Sequence, residues 1–157
     1  MIFVSFLFHL EEAAGICRRT DRLDKVLELD GPSGTFFTPD YPVLYPMGVQ
    51  CTWVISVPAG RRVKLAFEDF NLGLKVDVIC ENRDSTDYVR IRDGRMEDSK
   101  ELALFCGWHQ PILGNIYDVY STGNYMRVTF AALRLSQLSR LASKGFKARY
   151  QSVDACK

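Results

Sequence analysis

Trp53-Val54-Ile55-Ser56-Val57, then Pro58-Ala59-Gly60, then Arg61-Arg62-Val63-Lys64-Leu65-Ala66-Phe67 is the stretch that decides the fold class. The opening run is rich in the aromatic and β-branched residues that fit a pleated, half-buried surface. Pro58-Ala59-Gly60 ends it with turn chemistry. Val63, Leu65 and Phe67 then alternate with Arg62, Lys64 and Ala66. That two-residue period belongs to a strand with one face in the core and one in water.

The same grammar extends in both directions. Upstream, Gly31-Pro32-Ser33-Gly34 is a turn cluster ahead of Thr35-Phe36-Phe37-Thr38. The prolines between Pro39 and Pro46 fix φ beside Tyr41 and Tyr45 and predict an extended segment. Downstream, Tyr88-Val89-Arg90-Ile91-Arg92 alternates and stops at Asp93-Gly94, which predicts a tight hairpin. Leu102-Ala103-Leu104-Phe105 is short and apolar. After the turn Ser121-Thr122-Gly123-Asn124, the side chains of Met126, Val128 and Phe130 share one face. Phe146 to Tyr150 closes the series behind Gly145. Helical periodicity is scarce. Leu133 to Leu141 fits no strand and is assigned as a solvated excursion. Many short strands divided by turns predict an all-β protein, a two-sheet antiparallel β-sandwich.

Bulk properties narrow the function. A chain of 157 residues suits one domain, and 47% apolar residues suffice for a packed core. The formal net charge is +1, from 20 basic and 19 acidic side chains. That balance lacks the basic surface that supplies nucleic-acid affinity, and it gives no reason for an anionic membrane partner. Residues 1–16, with the apolar run Ile2 to Phe8, are assigned to a weak or truncated leader, residues 17–151 to the domain, and residues 152–157 to a tail. No stretch reaches the roughly 20 apolar residues of a membrane span. Cys17, Cys51, Cys80, Cys106 and Cys156 contain no Cys-x-x-Cys pair. Their wide spacing suits long-range disulfides of an oxidising compartment, with buried free thiols of a cytosolic protein as the alternative.

Catalysis finds little support. The two histidines are His9, in the leader, and His109, near Cys106 and assigned to a surface loop. No nucleophile elbow, phosphate loop or His-Glu-x-x-His is present. Glu68 and Asp69 are neighbours on a strand, so their side chains diverge.

In order, the chain carries Gly34 to Phe37, Pro39-Asp40-Tyr41-Pro42-Val43-Leu44-Tyr45-Pro46, Cys51-Thr52-Trp53-Val54-Ile55, Pro58 to Gly60, Asp87 to Gly94, Cys106-Gly107, Ser121 to Phe130 and Gly145 to Tyr150. This series resembles the CUB domain, an extracellular module of complement proteases, tolloid-type proteinases and receptors. The resemblance implies disulfides Cys17–Cys51 and Cys80–Cys106, enclosing 33 and 25 residues. Each would stabilise the fold by roughly 3–4 kcal/mol. Trp53 would pack its ring over a disulfide between the sheets. Cys156 is left over: it is available for a further module or another chain, or as a reactive thiol, or it is left unpaired by where the segment is cut.

Many CUB domains hold calcium through a tyrosine, a glutamate and two aspartates. Here the resemblance keeps Tyr45 and Asp87, while the glutamate falls on Gly73 and the later aspartate near Ala132. Calcium needs several oxygen ligands, so the site is degenerate and no cofactor is expected. Asp77, Glu81 and Asp84 are the loop acids that could compensate. The function implied is a non-catalytic, secreted or receptor-borne module for an extracellular protein ligand. Its candidate binding residues are Tyr41, Tyr45, Asp87, Trp108 and His109, with Gln110 beside them and Arg83, Arg90 and Arg92 adding charge. The alternatives are a stand-alone glycan-binding protein resembling the spermadhesins and the substrate-recognition domain of a secreted protease.

Overall fold

The computed structural model describes residues 18–19, 26–73, 80, 87–109, 118–132 and 143–155, with the backbone alone at residues 18, 19 and 109. The leader, Cys17, the loop acids Asp77, Glu81 and Asp84, Arg83, Gln110, the segment from Leu133 to Leu141 and Cys156 lie outside them.

Eleven strands follow one another among the described residues: β1 Arg18–Arg19, β2 Val26–Asp30, β3 Ser33–Phe37, β4 Val49–Ser56, β5 Arg61–Asn71, β6 Tyr88–Asp93, β7 Lys100–Phe105, β8 Trp108–His109, β9 Val119–Tyr120, β10 Tyr125–Ala131 and β11 Gly145–Asp154. They form two sheets. The first runs β1-β4-β10-β6-β7, with β2 also on β4, and the second runs β3-β11-β5-β8, with β9 also on β5. Apart from the parallel β2–β4 pair, the ladders are antiparallel. The expected all-β sandwich is the fold observed. The last strand runs from Gly145 to Asp154.

Alternation fills the space between the sheets. Val63, Leu65 and Phe67 of β5 are buried, as are Val89 and Ile91 of β6 and Met126, Val128 and Phe130 of β10. Phe146 sits at the centre, in edge-to-face contact with Phe36, Trp53, Phe67 and Phe130 and stacked on Phe70. Such pairs contribute roughly 0.5–1.5 kcal/mol each beyond area burial. Trp53 packs on the rings of Phe36 and Phe146 of the opposing sheet, at centroid distances of 5.0 and 5.7 Å. The disulfide expected beneath it involves Cys17, which lies outside the described residues.

Strand β5 carries an irregularity that the sequence conceals. Against β11 its register passes from Phe67↔Ala148 to Asp69↔Lys147, leaving Glu68 as the extra residue of a β-bulge. The bulge resets the alternation, so both Phe67 and Phe70 reach the core. Glu68 stays at the surface with Lys147, and Asp69 is freed to accept a bond from Tyr41. Glu68 and Asp69, expected to diverge, instead both stay on the outward side of the bulge, and both charges act on the Tyr41 phenol.

Two local expectations are corrected. Pro39 to Tyr45 is not extended throughout, because Tyr41 N–H bonds Thr38 O at 3.2 Å and Val43 N–H bonds Asp40 O at 2.7 Å. These bonds close consecutive turns, with Asp40 at φ 60° and a cis Tyr41–Pro42 peptide. Asp93-Gly94 does not make a tight hairpin either. β6 ends at Asp93 and β7 starts at Lys100, so residues 94–99 form a longer loop. Gly94 does take the positive φ of 133°, but Asp93 turns its carboxylate to Thr122, accepting from its N–H and its hydroxyl at 2.8 Å each.

Candidate functional site

The C-terminal end of β5 gathers the predicted binding residues into one corner. The Tyr41 hydroxyl donates to Asp69 Oδ2 at 2.9 Å. β8 pairs with the end of β5, placing His109 opposite Phe70 and Trp108 opposite Asn71. The Tyr45 hydroxyl lies 3.5 Å from Leu72 O and donates to Asp87 Oδ2 at 2.7 Å. Leu72 N–H in turn bonds Gly107 O at 2.7 Å, just before Trp108. His109 therefore belongs to a short strand, not to the surface loop expected, because the β5 edge offers it a pairing partner.

These residues divide by burial into braces and contact groups. Tyr45 is 4% exposed and Asp87 2%, so neither offers surface to a partner. A buried carboxyl needs such a partner, and Tyr45 supplies one while its ring packs on Phe130 at 5.1 Å. Tyr41 and Trp108 are only partly buried. Burial first, and then the hydrogen bond to Asp69 and the charges of Asp69 and Glu68, push the Tyr41 phenol up to about 12.

The exposed part of the corner was not anticipated from sequence. Val43, Leu44 and Met47 stand out from the β3–β4 connection, with Val43 67% exposed, on either side of the buried Tyr45. The signal was present as three apolar residues among prolines. In sequence that pattern fits a stiff, extended chain equally well, because only the turn at Pro39–Pro42 shows which side chains face outward.

Cys80 and Cys106 form a disulfide with Cα atoms 5.9 Å apart. Cys51 is disulfide-bonded as well, and Cys17, the partner implied by resemblance, lies outside the described residues. The Cys80–Cys106 bond ties Cys80 to the residue just before Gly107-Trp108.

At the positions of a calcium site, Asp87 is the single carboxylate among the described residues. Gly73 and Ala132 bring no side-chain oxygen, and Ala132 is 2% exposed. No group of three or more potential metal ligands occurs among the described residues. Calcium takes six to eight oxygens, so these residues by themselves do not compose a site for it.

The CUB domain family model matches residues 25–150. The chain belongs to the CUB domain family. Similar proteins include the tolloid dorsal-ventral patterning protein of Drosophila melanogaster, 33% identical over 80% of this chain and 10% of that protein. The procollagen C-endopeptidase enhancer 2 of Mus musculus is 35% identical over 78% of this chain and 26% of that protein. Among solved structures, the CUB1-EGF-CUB2 domains of rat MASP-1 superpose with a TM-score of 0.64 at 34% identity, covering 84% of this chain and 44% of that one. The MASP-1 CUB2 domain bound to Ca2+ superposes with a TM-score of 0.60 at 25% identity, covering 80% and 96%. The chain thus spans a minor part of the curated relatives that it matches.

CUB domains are modules of secreted proteins and of the extracellular parts of membrane proteins, and the disulfides fit that compartment. They are in general non-catalytic, and in protease relatives the catalytic part is another domain. Among the described residues, no helix is long and apolar enough to cross a membrane.

Proposed function

We propose that this CUB domain is a non-catalytic recognition unit of a larger secreted or receptor protein, and that it binds an extracellular protein at the corner where β5 ends. The observation that carries this reading is the convergence of Tyr41, Tyr45, Trp108 and His109 on Asp69–Leu72, beside the exposed Val43, Leu44 and Met47. Partly buried aromatics next to exposed aliphatics on a braced scaffold are what interface hot spots are made of. Tyr45 and Asp87 act here as internal braces. The reading does not draw on calcium, because Asp87 is the single carboxylate among the described residues at the positions of a calcium site.

The test is affinity capture from extracellular fluid on immobilised protein, with and without a calcium chelator. Retention of the main partner is expected to survive chelation. It should fall about tenfold or more for Trp108→Ala and for the Val43→Ser/Leu44→Ser pair, and stay unchanged for Arg149→Ala on the outer face of the second sheet. Equal losses for all three, or release by the chelator, would refute the assignment.

A further inference from the structure

The outward face of the first sheet carries a charge arrangement that the fold does not need. On β6, Tyr88, Arg90 and Arg92 alternate with the core residues Val89 and Ile91. On β10, Tyr125, Arg127 and Thr129 alternate with Met126, Val128 and Phe130. The register places Arg127 opposite Arg92 and Thr129 opposite Arg90. Two like charges directly across a ladder are destabilising. Arg95, from the β6–β7 loop, adds a third guanidinium beside them, since its carbonyl accepts from Arg127 Nη1 at 3.1 Å.

These guanidinium groups are held in place. Arg95 lies 5.6 Å over the Tyr125 ring and Arg90 5.0 Å over the Tyr88 ring. Arg92 Nη1 donates to Ser99 O at 2.7 Å. Two carboxylates answer four cations: Glu101 faces Arg90 at 3.2 Å and Glu28 faces Arg95 at 2.5 Å. Among the described residues, Arg92 and Arg127 have backbone carbonyls as partners and no carboxylate. On the second sheet Arg62 alone, among the described lysines and arginines of β5 and β11, has a backbone carbonyl and no carboxylate as its partner. There Lys64 pairs with Asp118 at 2.7 Å, and Lys147 and Arg149 share Glu68 at 3.2 and 3.8 Å.

We propose that the outward face of β6 and β10, centred on Arg92 and Arg127, is a second docking surface, which takes an acidic segment of a protein partner. Guanidinium forks match carboxylates in bidentate geometry, and stacking on aromatic rings fixes them beforehand, so little ordering is left to occur on binding. Charge complementarity selects the ligand. The like-charge cost across Arg92 and Arg127 is relieved when a carboxylate sits between them. A protein ligand is favoured over a sulfated glycan because CUB domains bind extracellular protein partners.

The experiment uses a fluorescent, extended ten-residue Glu/Asp peptide, and in parallel a heparin-derived oligosaccharide, against the full chain at physiological salt. The peptide is expected to bind. Arg92→Gln/Arg127→Gln should weaken it about tenfold or more, while Arg62→Gln/Arg149→Gln on the second sheet and Trp108→Ala at the corner leave it unchanged. The thermal midpoint of the Arg92/Arg127 variant should be unchanged or higher, which separates lost binding from lost folding. Equal weakening by both arginine pairs, or binding of the oligosaccharide alone, would overturn the proposal. Loss of peptide binding with Trp108→Ala would merge this surface with the corner and overturn it as well.

Discussion

Replacing Cys80 and Cys106 together by alanine tests what holds the corner in place. The two residues are 26 apart in sequence and their Cα atoms lie 5.9 Å apart. Closing a loop of that length removes about 3.5 kcal/mol of conformational freedom from the unfolded chain at room temperature. Cys106 is fully buried, so truncation there adds a small cavity term of about 1 kcal/mol. The double variant should therefore lose about 4.5 kcal/mol in urea unfolding, with Cys51 still bonded. Alanine at both sites avoids burying a hydroxyl and leaves no new thiol to exchange with that second bridge. Because most of the loss acts through the unfolded state, the denaturant slope should rise as the freed chain expands. A loss below about 1 kcal/mol with an unchanged slope would refute the reasoning.

Gly145 and Gly60 both have positive φ, at 88° and 79°, yet a Cβ at Gly145 would run into Thr38 while one at Gly60 meets open space. Gly145→Ala should cost about 3 kcal/mol or more and Gly60→Ala about 1 kcal/mol, read by chemical denaturation; equal costs would show that Thr38 can yield. Tyr45→Phe, which takes a hydroxyl donor from the buried Asp87, should cost about 2 kcal/mol, whereas Tyr120→Phe at the exposed residue of β9 should stay within about 0.5 kcal/mol; similar values would deny the brace. Tyr41 ionises at about 12 in the folded chain against about 10 unfolded. The folded state holds that proton more tightly, so its contribution is fully present below pH 10 and is lost as the pH rises through 12. An absorbance titration should show one phenol fewer ionising near pH 10 in the wild type than the tyrosine count predicts from exposure alone, and Tyr41→Phe should abolish the step near 12; its persistence would reassign that step.

The sandwich was legible because its evidence is local. Val63, Leu65 and Phe67, or Met126, Val128 and Phe130, declare a buried face by period alone, and a strand has few other ways to use that pattern. The aromatic order from Phe36 to Tyr150 carried the family for the same reason. The corner was legible as a set of residues but not as an arrangement. Nothing in the order of residues says that Tyr45 and Asp87 are sealed inside while Val43 and Leu44 stand out, since that sorting depends on turns closed by Thr38 and Asp40 carbonyls. The pairing of Arg92 with Arg127 is still less visible. It depends on the register between two strands 35 residues apart in sequence, and one step of slip would set each arginine against a core residue.

The bulge at Glu68 joins these levels. Without it, the alternation that buries Val63, Leu65 and Phe67 would continue to residue 69, and Asp69 would face the core while Phe70 faced water. One inserted residue reverses both assignments. Phe70 gains the stack with Phe146, and Asp69 becomes the acceptor that holds Tyr41 at the corner. A single backbone irregularity thus lets one strand build the hydrophobic core along its length and the recognition corner at its end. That is why the corner's geometry should respond to substitutions on β5 and β11 that touch none of the contact residues.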